Sequence, residues 1–436
     1  MVLDCDSLCS RLEHLHPLYI RGKVAEVIGL TLQVTGLKLP VGEVCRVLLP
    51  GGKGVVSTEV VGFRDGRTLL MSLGDLEGIS PGCEVIPTGS DFKVPIYNGL
   101  LGKVLDGLGR PMDGTKIFAR DFKKVDAKAP NPLQRPRISQ SLTTGIKSID
   151  TLLTSGKGQR MGIFAGSGVG KSTILGMMAK HSEADVNVLA LIGERGREVK
   201  DFLERDLGPE GLKKSVVIAV TSDQPSLVRI KGAFLATAVA EYFRDQGLDV
   251  LLAMDSVTRF ALAQREVGLA IGEPPATKGY TPSVFTLMPK LLERAGNTEV
   301  GSITGFYTVL VEGDDMNEPI ADAVRGILDG HIVLSREIAA RNIYPAVDVL
   351  QSVSRVMPDV TEEEHLELAG KIREVLARYH EIEDLINIGA YKKGNNPEAD
   401  RAVELYPAVV KFLKQGKEEY FSLKQSIELV RQMLRD

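Results

Sequence analysis

A chain of 436 residues with 43% hydrophobic and 25% charged content is long enough for two or three domains with sizeable cores, and it has the balance of a soluble globular protein. A net charge of -4 and a pI near 6.0 argue against nucleic acid as the main partner, because such proteins carry a basic face. Four cysteines give no disulfide framework, no apolar run approaches bilayer-spanning length, and Met1–Ser10 lacks a basic-then-apolar leader pattern, so a cytoplasmic protein is expected.

At the start of the chain, Cys5, Leu8, Leu12 and Leu15 recur at helical spacing and stop before Pro17. This predicts an amphipathic helix over residues 1–18 whose apolar stripe is available to a partner or to the adjoining domain. Cys5, Cys9, His14 and His16 are all zinc-ligand types, but their spacing matches no standard finger. Over residues 19–90, β-rich runs at Val24–Val34, Val44–Leu49, Val55–Phe63 and Thr68–Leu73 alternate with turns and predict a small β-barrel domain. With only Tyr19 and Phe63 to stack bases on, a structural collar is favoured over an oligonucleotide-binding module.

Pro87–Pro95 reads as a linker, and Pro130, Pro132 and Pro136 stiffen a second connection. Strands are then predicted at the apolar start of Arg160–Thr173 and at Val186–Ile192, Val216–Thr221, Val250–Met254, Ser302–Val311 and His331–Leu334, with a helix over Leu227–Gln246 and the sheet ending near Val349. Near-continuous Val/Ile/Leu strands alternating with helices give an α/β nucleotide domain over 91–350 with a mainly parallel sheet. From 351 to 436 the pattern is helical: Thr361 with Glu364 reads as a capping box, Pro397 as a first helical position, and Gly416 as a stop after Gln415.

The chemistry centres on Arg160–Thr173, R-M-G-I-F-A-G-S-G-V-G-K-S-T, a strand, a glycine-rich turn and a helix start that read as a phosphate-binding P-loop. Gly166, Ser167, Gly168, Val169 and Gly170 would turn backbone N–H groups onto one anion. Lys171 would reach the β- and γ-phosphates, and Ser172, with Thr173 beside it, would meet the accompanying Mg²⁺. The strict G-x-x-x-x-G-K-[ST] pattern is missed at its first position, Ala165. ATP and Mg²⁺ are therefore the expected ligands.

Asp255 ends the strand V-L-L-A-M-D, the Walker B arrangement that sets a carboxylate beside the metal shell, although a strand-ending Asp also caps turns. Glu194 leaves the carboxyl end of another strand in G-E-R-G-R-E-V, where it can orient or deprotonate water, while position alone leaves a solvated charged loop equally open. Arg355 in Q-S-V-S-R-V-M lies beyond the predicted sheet and is a candidate arginine finger for a neighbouring subunit.

Together with A-E-Y-F-R-D (240–245), M-D-S-V-T-R-F (254–260), K-G-Y-T-P-S-V-F (278–285), V-E-G-D-D (311–315), D-G-H-I-V-L-S-R (329–336) and Y-P-A-V-D-V-L-Q-S-V-S-R-V-M (344–357), these motifs resemble the ATPases of type III protein export, nearest the flagellar branch, and through them the catalytic subunits of rotary ATP synthases. The resemblance covers the chain from Tyr19 onward. It implies a homohexameric ring of chains, each with a β-barrel, a RecA-like domain and a helical C-terminal domain, that hydrolyses ATP to drive export.

It also implies Glu194 as the catalytic glutamate, Arg195 and Glu198 on the phosphate and metal-water side, Arg355 as a finger acting in trans, and Tyr344 as the aromatic that stacks on adenine. Ala165 fits the looser P-loop of that family. Implied partners are a negative-regulator protein resembling peripheral-stalk subunits, docked on the N-terminal helix, a central stalk protein, export-gate proteins, and chaperones with their substrates, all at the cytoplasmic face of the membrane. The competing readings are a virulence secretion ATPase, a rotary synthase subunit, and a hexameric RNA-translocating helicase, the last disfavoured by the acidic balance and the aromatic-poor barrel.

Overall fold

The computed structural model describes residues 20–117, 122–166, 168–311, 313 and 315–435, so the expected helix over 1–18, with Cys5, Cys9, His14 and His16, lies outside the described residues, as does Ser167. The chain divides into two compact units between Phe92 and Lys93.

In the first unit six antiparallel strands, β1 (Gly22–Ile28), β2 (Thr31–Thr35), β3 (Glu43–Leu48), β4 (Val55–Arg64), β5 (Arg67–Ser72) and β6 (Glu84–Asp91), close a barrel in the order β1-β2-β5-β4-β3-β6. Alternation carries Val24, Val34, Cys45, Val47, Val60, Leu70 and Val85 inward, where each is at most 1% exposed. Closure leaves no open sheet edge. Two details depart from expectation. The single run Val24–Val34 is a hairpin, turned at Gly29, which has φ +55°. Part of the expected linker is β6, whose Pro87 pairs with Cys45 of β3.

The second unit is built on a sheet in which β7 (Val104–Leu105), β8 (Arg160–Ala165), β9 (Val186–Glu194), β10 (Ser215–Thr221), β11 (Asp249–Asp255), β12 (Ser302–Leu310), β13 (Gly330–Leu334) and β14 (Val347–Ser354) take the order β14-β13-β8-β12-β11-β9-β10-β7. All neighbours run parallel except β14, which returns antiparallel along β13 and extends the sheet to Ser354 rather than Val349. Every residue of β9 but the last is buried, as a strand covered on both faces requires. Helices α1 (Lys171–His181), α2 (Ser226–Arg244) and α3 (Val257–Ile271) follow β8, β10 and β11.

Three long helices finish the chain: α4 (Glu363–Asn387), α5 (Pro397–Leu413) and α6 (Leu423–Arg435). Their apolar faces, through Leu368, Ile372, Val409, Phe412 and Val430, join the same core as the sheet. Arg373 of α4 donates to the carbonyls of Val349 (2.7 Å) and Leu152 (2.8 Å), fixing the helix to the end of the sheet. Pro397 does open α5, with Asn396 accepting from the N–H groups of Glu398 and Ala399. The capping box does not form: the Thr361 hydroxyl donates to Met357 O at 2.7 Å, and Glu362 stands at the N-cap instead. Helix α5 also stops at Leu413, two residues before Gln415.

One buried ion pair helps hold the segment around Val125 to this unit. Arg294, 0% exposed, grips the Glu241 carboxylate with Nε (2.8 Å) and Nη2 (2.5 Å) and donates Nη1 to Val125 O (2.7 Å). Arg294→Ala would strand the Glu241 carboxylate, which is largely buried, and a backbone carbonyl, so a loss of about 3–5 kcal/mol is expected. Denaturant unfolding measures it, and a loss below about 1 kcal/mol would show that the segment is held by other means.

Candidate active site

The P-loop follows β8, and its position comes from three neighbours. Ala165 pairs with Leu310 of β12 and Leu334 of β13, and the first N–H beyond β12, that of Val311, donates to Ala165 O at 3.1 Å. Ala165 is ordinary buried strand without positive φ, so the first motif position needs no glycine here. Gly168 (φ +82°) and Gly170 (φ +93°) do take the left-handed conformation that lets the loop curl into the start of α1.

That loop lines a cleft of about 570 Å³ with Gly166, Gly168, Gly170, Lys171, Ser172 and Thr173, and Glu194, Arg195, Glu198, Arg259, Gly313 and Arg336 complete its lining. Four cations thus face two carboxylates, a balance that favours a polyanionic ligand. Val169 is turned away: its side chain is 2% exposed and belongs to the core, which leaves only its backbone for the cradle.

The carboxyl ends of β9 and β11 bring the two acids to the lysine. Lys171 Nζ lies 2.5 Å from Asp255 Oδ1 and 3.4 Å from Glu194 Oε1. Asp255 Oδ1 also accepts from Thr308 Oγ1 at 2.8 Å, and the residue is 2% exposed, one layer behind the cleft wall. Burial works against the Lys171 charge, but Asp255 and Glu194 outweigh it and hold the ammonium above the usual lysine range.

For Glu194, burial and then the Asp255 charge push the carboxyl up to about 7, against the pull of Lys171. Glu198, hydrogen-bonded to Glu194 and paired with Arg195 at 3.1 Å, stays below the usual range. A carboxyl poised near neutrality beside a phosphate cradle has the properties of a water-activating group.

The arginines Arg259 and Arg336 are absent from the sequence-derived site, although both fall inside the motifs quoted above. Arg259 is brought in by Gly193, which has φ +72° and on which a Cβ would meet the Arg259 side chain at 2.8 Å. Arg336 lies against the loop itself, since a Cβ on Gly166 would stand 2.6 Å from its guanidinium. The signal that could have found them is position: Arg336 comes two residues after β13 ends and Arg259 four after β11 ends, on the rim where parallel sheets bind ligands.

Tyr344 also reaches this rim. Its ring atoms Cδ1 and Cε1 would lie 3.9 Å from a Cβ on Gly170, which sets the ring beside the P-loop, outside the phosphate cleft proper. Arg355 does not join the group. β14 runs antiparallel, so Val347 is level with Leu334 and the P-loop, while Ser354 is level with Gly330. Arg355 follows Ser354 and is exposed at the opposite rim, with about five strand residues, ~17 Å, between it and its own P-loop.

Among the described residues no cluster of three His, Cys, Asp or Glu side chains makes a metal site by itself. The candidate donors Ser172, Asp255 and Glu198 all offer oxygens, and Ser172 lines the cleft in the first turn of α1. This suits Mg²⁺, which takes one or two protein oxygens together with substrate phosphates. No described helix is long and apolar enough to cross a membrane.

Known families and proteins match the chain along most of its length. The family description "ATP synthase alpha/beta family, nucleotide-binding domain" matches residues 145–354, its beta-barrel domain matches 24–89, and "T3SS EscN ATPase C-terminal domain" matches 361–432. The chain is 56% identical to the flagellum-specific ATP synthase of Bacillus subtilis, with 93% of each chain aligned. It is 51% identical to the type 3 secretion system ATPase of Xanthomonas euvesicatoria, over 94% of this chain and 93% of that one.

The assembled ATPase EscN of the enteropathogenic E. coli type III secretion system superposes with a TM-score of 0.89 at 44% identity, covering 95% of this chain and all of EscN, and EscN has also been solved with its central stalk EscO. None of these findings supports the RNA-helicase reading. With barrel, nucleotide domain and C-terminal helices all matched, the chain belongs to the ATP synthase alpha/beta family, among its type III protein-export ATPases, and is an ATP-hydrolysing enzyme.

Proposed function

We propose that this ATPase works as a homohexameric ring at the cytoplasmic face of the membrane, energising the export of flagellar proteins through a type III apparatus. The observation that carries the ring is the division of the site. P-loop, Lys171, Glu194 and Asp255 meet in one chain, while Arg355 stands on the far rim, away from its own P-loop, which supports a role at a neighbouring chain's site. The assembled EscN and its complex with EscO support a ring around a central stalk. The flagellar branch rests on relatives such as the Bacillus protein. A regulator on the N-terminal segment, gate proteins, chaperones and substrates follow as partners from the family reading.

In this reading the backbone N–H groups of the loop and Lys171 would hold the phosphates, and Ser172, Asp255 and Glu198 are the residues that would hold Mg²⁺. Mg²⁺ supplies neutralisation of the β- and γ-phosphate charge. Glu194 orients the attacking water and takes its proton, and Arg195, Arg259 and Arg336 face the transferred group. Tyr344 stacks on adenine. Tyr344→Ala should raise KM for ATP about three- to tenfold, roughly 0.7–1.4 kcal/mol, with kcat little changed. Tyr344→Phe should keep the wild-type KM, and an unaltered KM in the alanine variant would remove the stacking role.

To test the export function, the chromosomal copy is replaced by Glu194→Gln. Cells are expected to secrete no flagellin and to be non-motile. Normal filaments with loss of another secreted set would assign the enzyme to a virulence system instead.

A further inference from the structure

The end of β8 away from the P-loop is tied into a polar network. Asp329, just before β13, accepts from Arg160 three times with its carboxylate: from the backbone N (3.1 Å), Nε (3.0 Å) and Nη2 (3.1 Å). Its backbone N–H donates to Arg160 O at 2.9 Å, and its carbonyl accepts the N–H of Arg355 at 3.1 Å. Gln159, 0% exposed, donates to that same carbonyl (3.2 Å) and to Ser354 Oγ (3.0 Å), and Ser354 in turn donates to Thr154 O (2.8 Å). Arg160 Nη1 also lies 2.5 Å from Glu293 Oε1. The start of the P-loop strand, Asp329 and the two residues at the finger are therefore joined by one short hydrogen-bonded path.

We propose that Asp329 is the positioning residue for Arg355: held by Arg160, it fixes the backbone from which the finger reaches the neighbouring subunit. The inference rests on the reading of Arg355 as a finger in trans. A bidentate Arg–carboxylate pair gives geometric definition that a single contact does not. Half-buried charge makes this pair sensitive to loss of either partner. β8 carries the P-loop at one end and this clamp at the other, so the strand that holds a chain's own loop also holds the backbone of the finger that the chain offers next door. The link is a contiguous set of named bonds rather than proximity alone.

The test uses full-length chains in mixed rings. Lys171→Ala chains supply a finger without a working P-loop, Arg355→Ala chains supply the reverse, and ATP turnover recovers only where they meet. Asp329→Asn is placed on one parent or the other. On the finger-supplying chain it is expected to lower the recovered turnover at least tenfold, and on the P-loop-supplying chain to change it less than twofold.

A merely structural role would lower both placements alike, and that result, or no loss in the first placement, would overturn the proposal. Arg160→Lys, which keeps the charge but not the bidentate geometry, is read in the same two placements should Asp329→Asn chains fail to fold. If the parent mixture without Asp329→Asn shows no recovery, the trans finger itself has failed, which is a separate result.

Discussion

Glu194→Gln is expected to bind ATP within a fewfold of the wild-type affinity yet to turn over 10²–10⁴ times more slowly, the range that general-base catalysis contributes. Glutamine keeps the length and a hydrogen-bonding oxygen for Lys171, which lies 3.4 Å from the carboxylate, but it cannot take a proton from water. It also removes one of two acids crowded around that lysine, so like-charge repulsion with Asp255 is lost together with the attraction to Lys171.

Lys171→Ala should behave differently. It strips the cation from Asp255, 2.5 Å away and 2% exposed, and from the cradle, leaving carboxylates to face incoming phosphates. Affinity should fall on the order of 100-fold or more, about 2.7 kcal/mol, and turnover with it. Titration with a fluorescent ATP analogue and phosphate-release kinetics separate the two variants. A Glu194→Gln enzyme with near-normal turnover would show that water is activated elsewhere.

Both variants fall on residues that are legible in the amino-acid sequence. A lysine and serine after a glycine turn, and an acid at the end of an apolar strand, are held in place by the backbone itself, so strand order points to Lys171, Ser172 and Asp255, while for Glu194 it leaves a solvated charged loop equally open and only the family resemblance decides. Strand order does not assign Arg259 and Arg336. A charged residue just beyond a strand looks the same whether it is solvated or turned into a cleft, and what turns these two inward are the close approaches at Gly193 and Gly166.

The fold divides in the same way. Alternation marks most of the barrel, but Pro87 disguises β6, because proline in a strand signals an edge. β1 pairs with β6 only at Val85 and Glu84, so on that side no partner strand calls for the N–H that Pro87 lacks. Thr361 has the spacing of a cap, yet its hydroxyl is taken by the preceding turn. Long-range anchors such as Arg294 with Glu241, 53 residues apart in sequence, leave no local pattern at all.

Mixing Arg355→Ala chains with Lys171→Ala chains is expected to restore ATP turnover that neither parent shows. In a ring assembled at random from equal amounts, about a quarter of the interfaces join an intact P-loop to an intact finger, so recovery should approach but not exceed about a quarter of the wild-type rate. Geometry favours action in trans. β14 carries the chain away from the P-loop rim, and the bond from Arg355 N to Asp329 O pins the finger's backbone beside Arg160, at the wrong end of β8 for its own nucleotide. A finger acting within its own chain would give no recovery, because each parent then lacks a complete site in every copy. Absence of recovery in rings shown by mass measurement to be mixed would therefore exclude the shared site, and turnover tracking the proportion of the two chains would establish it.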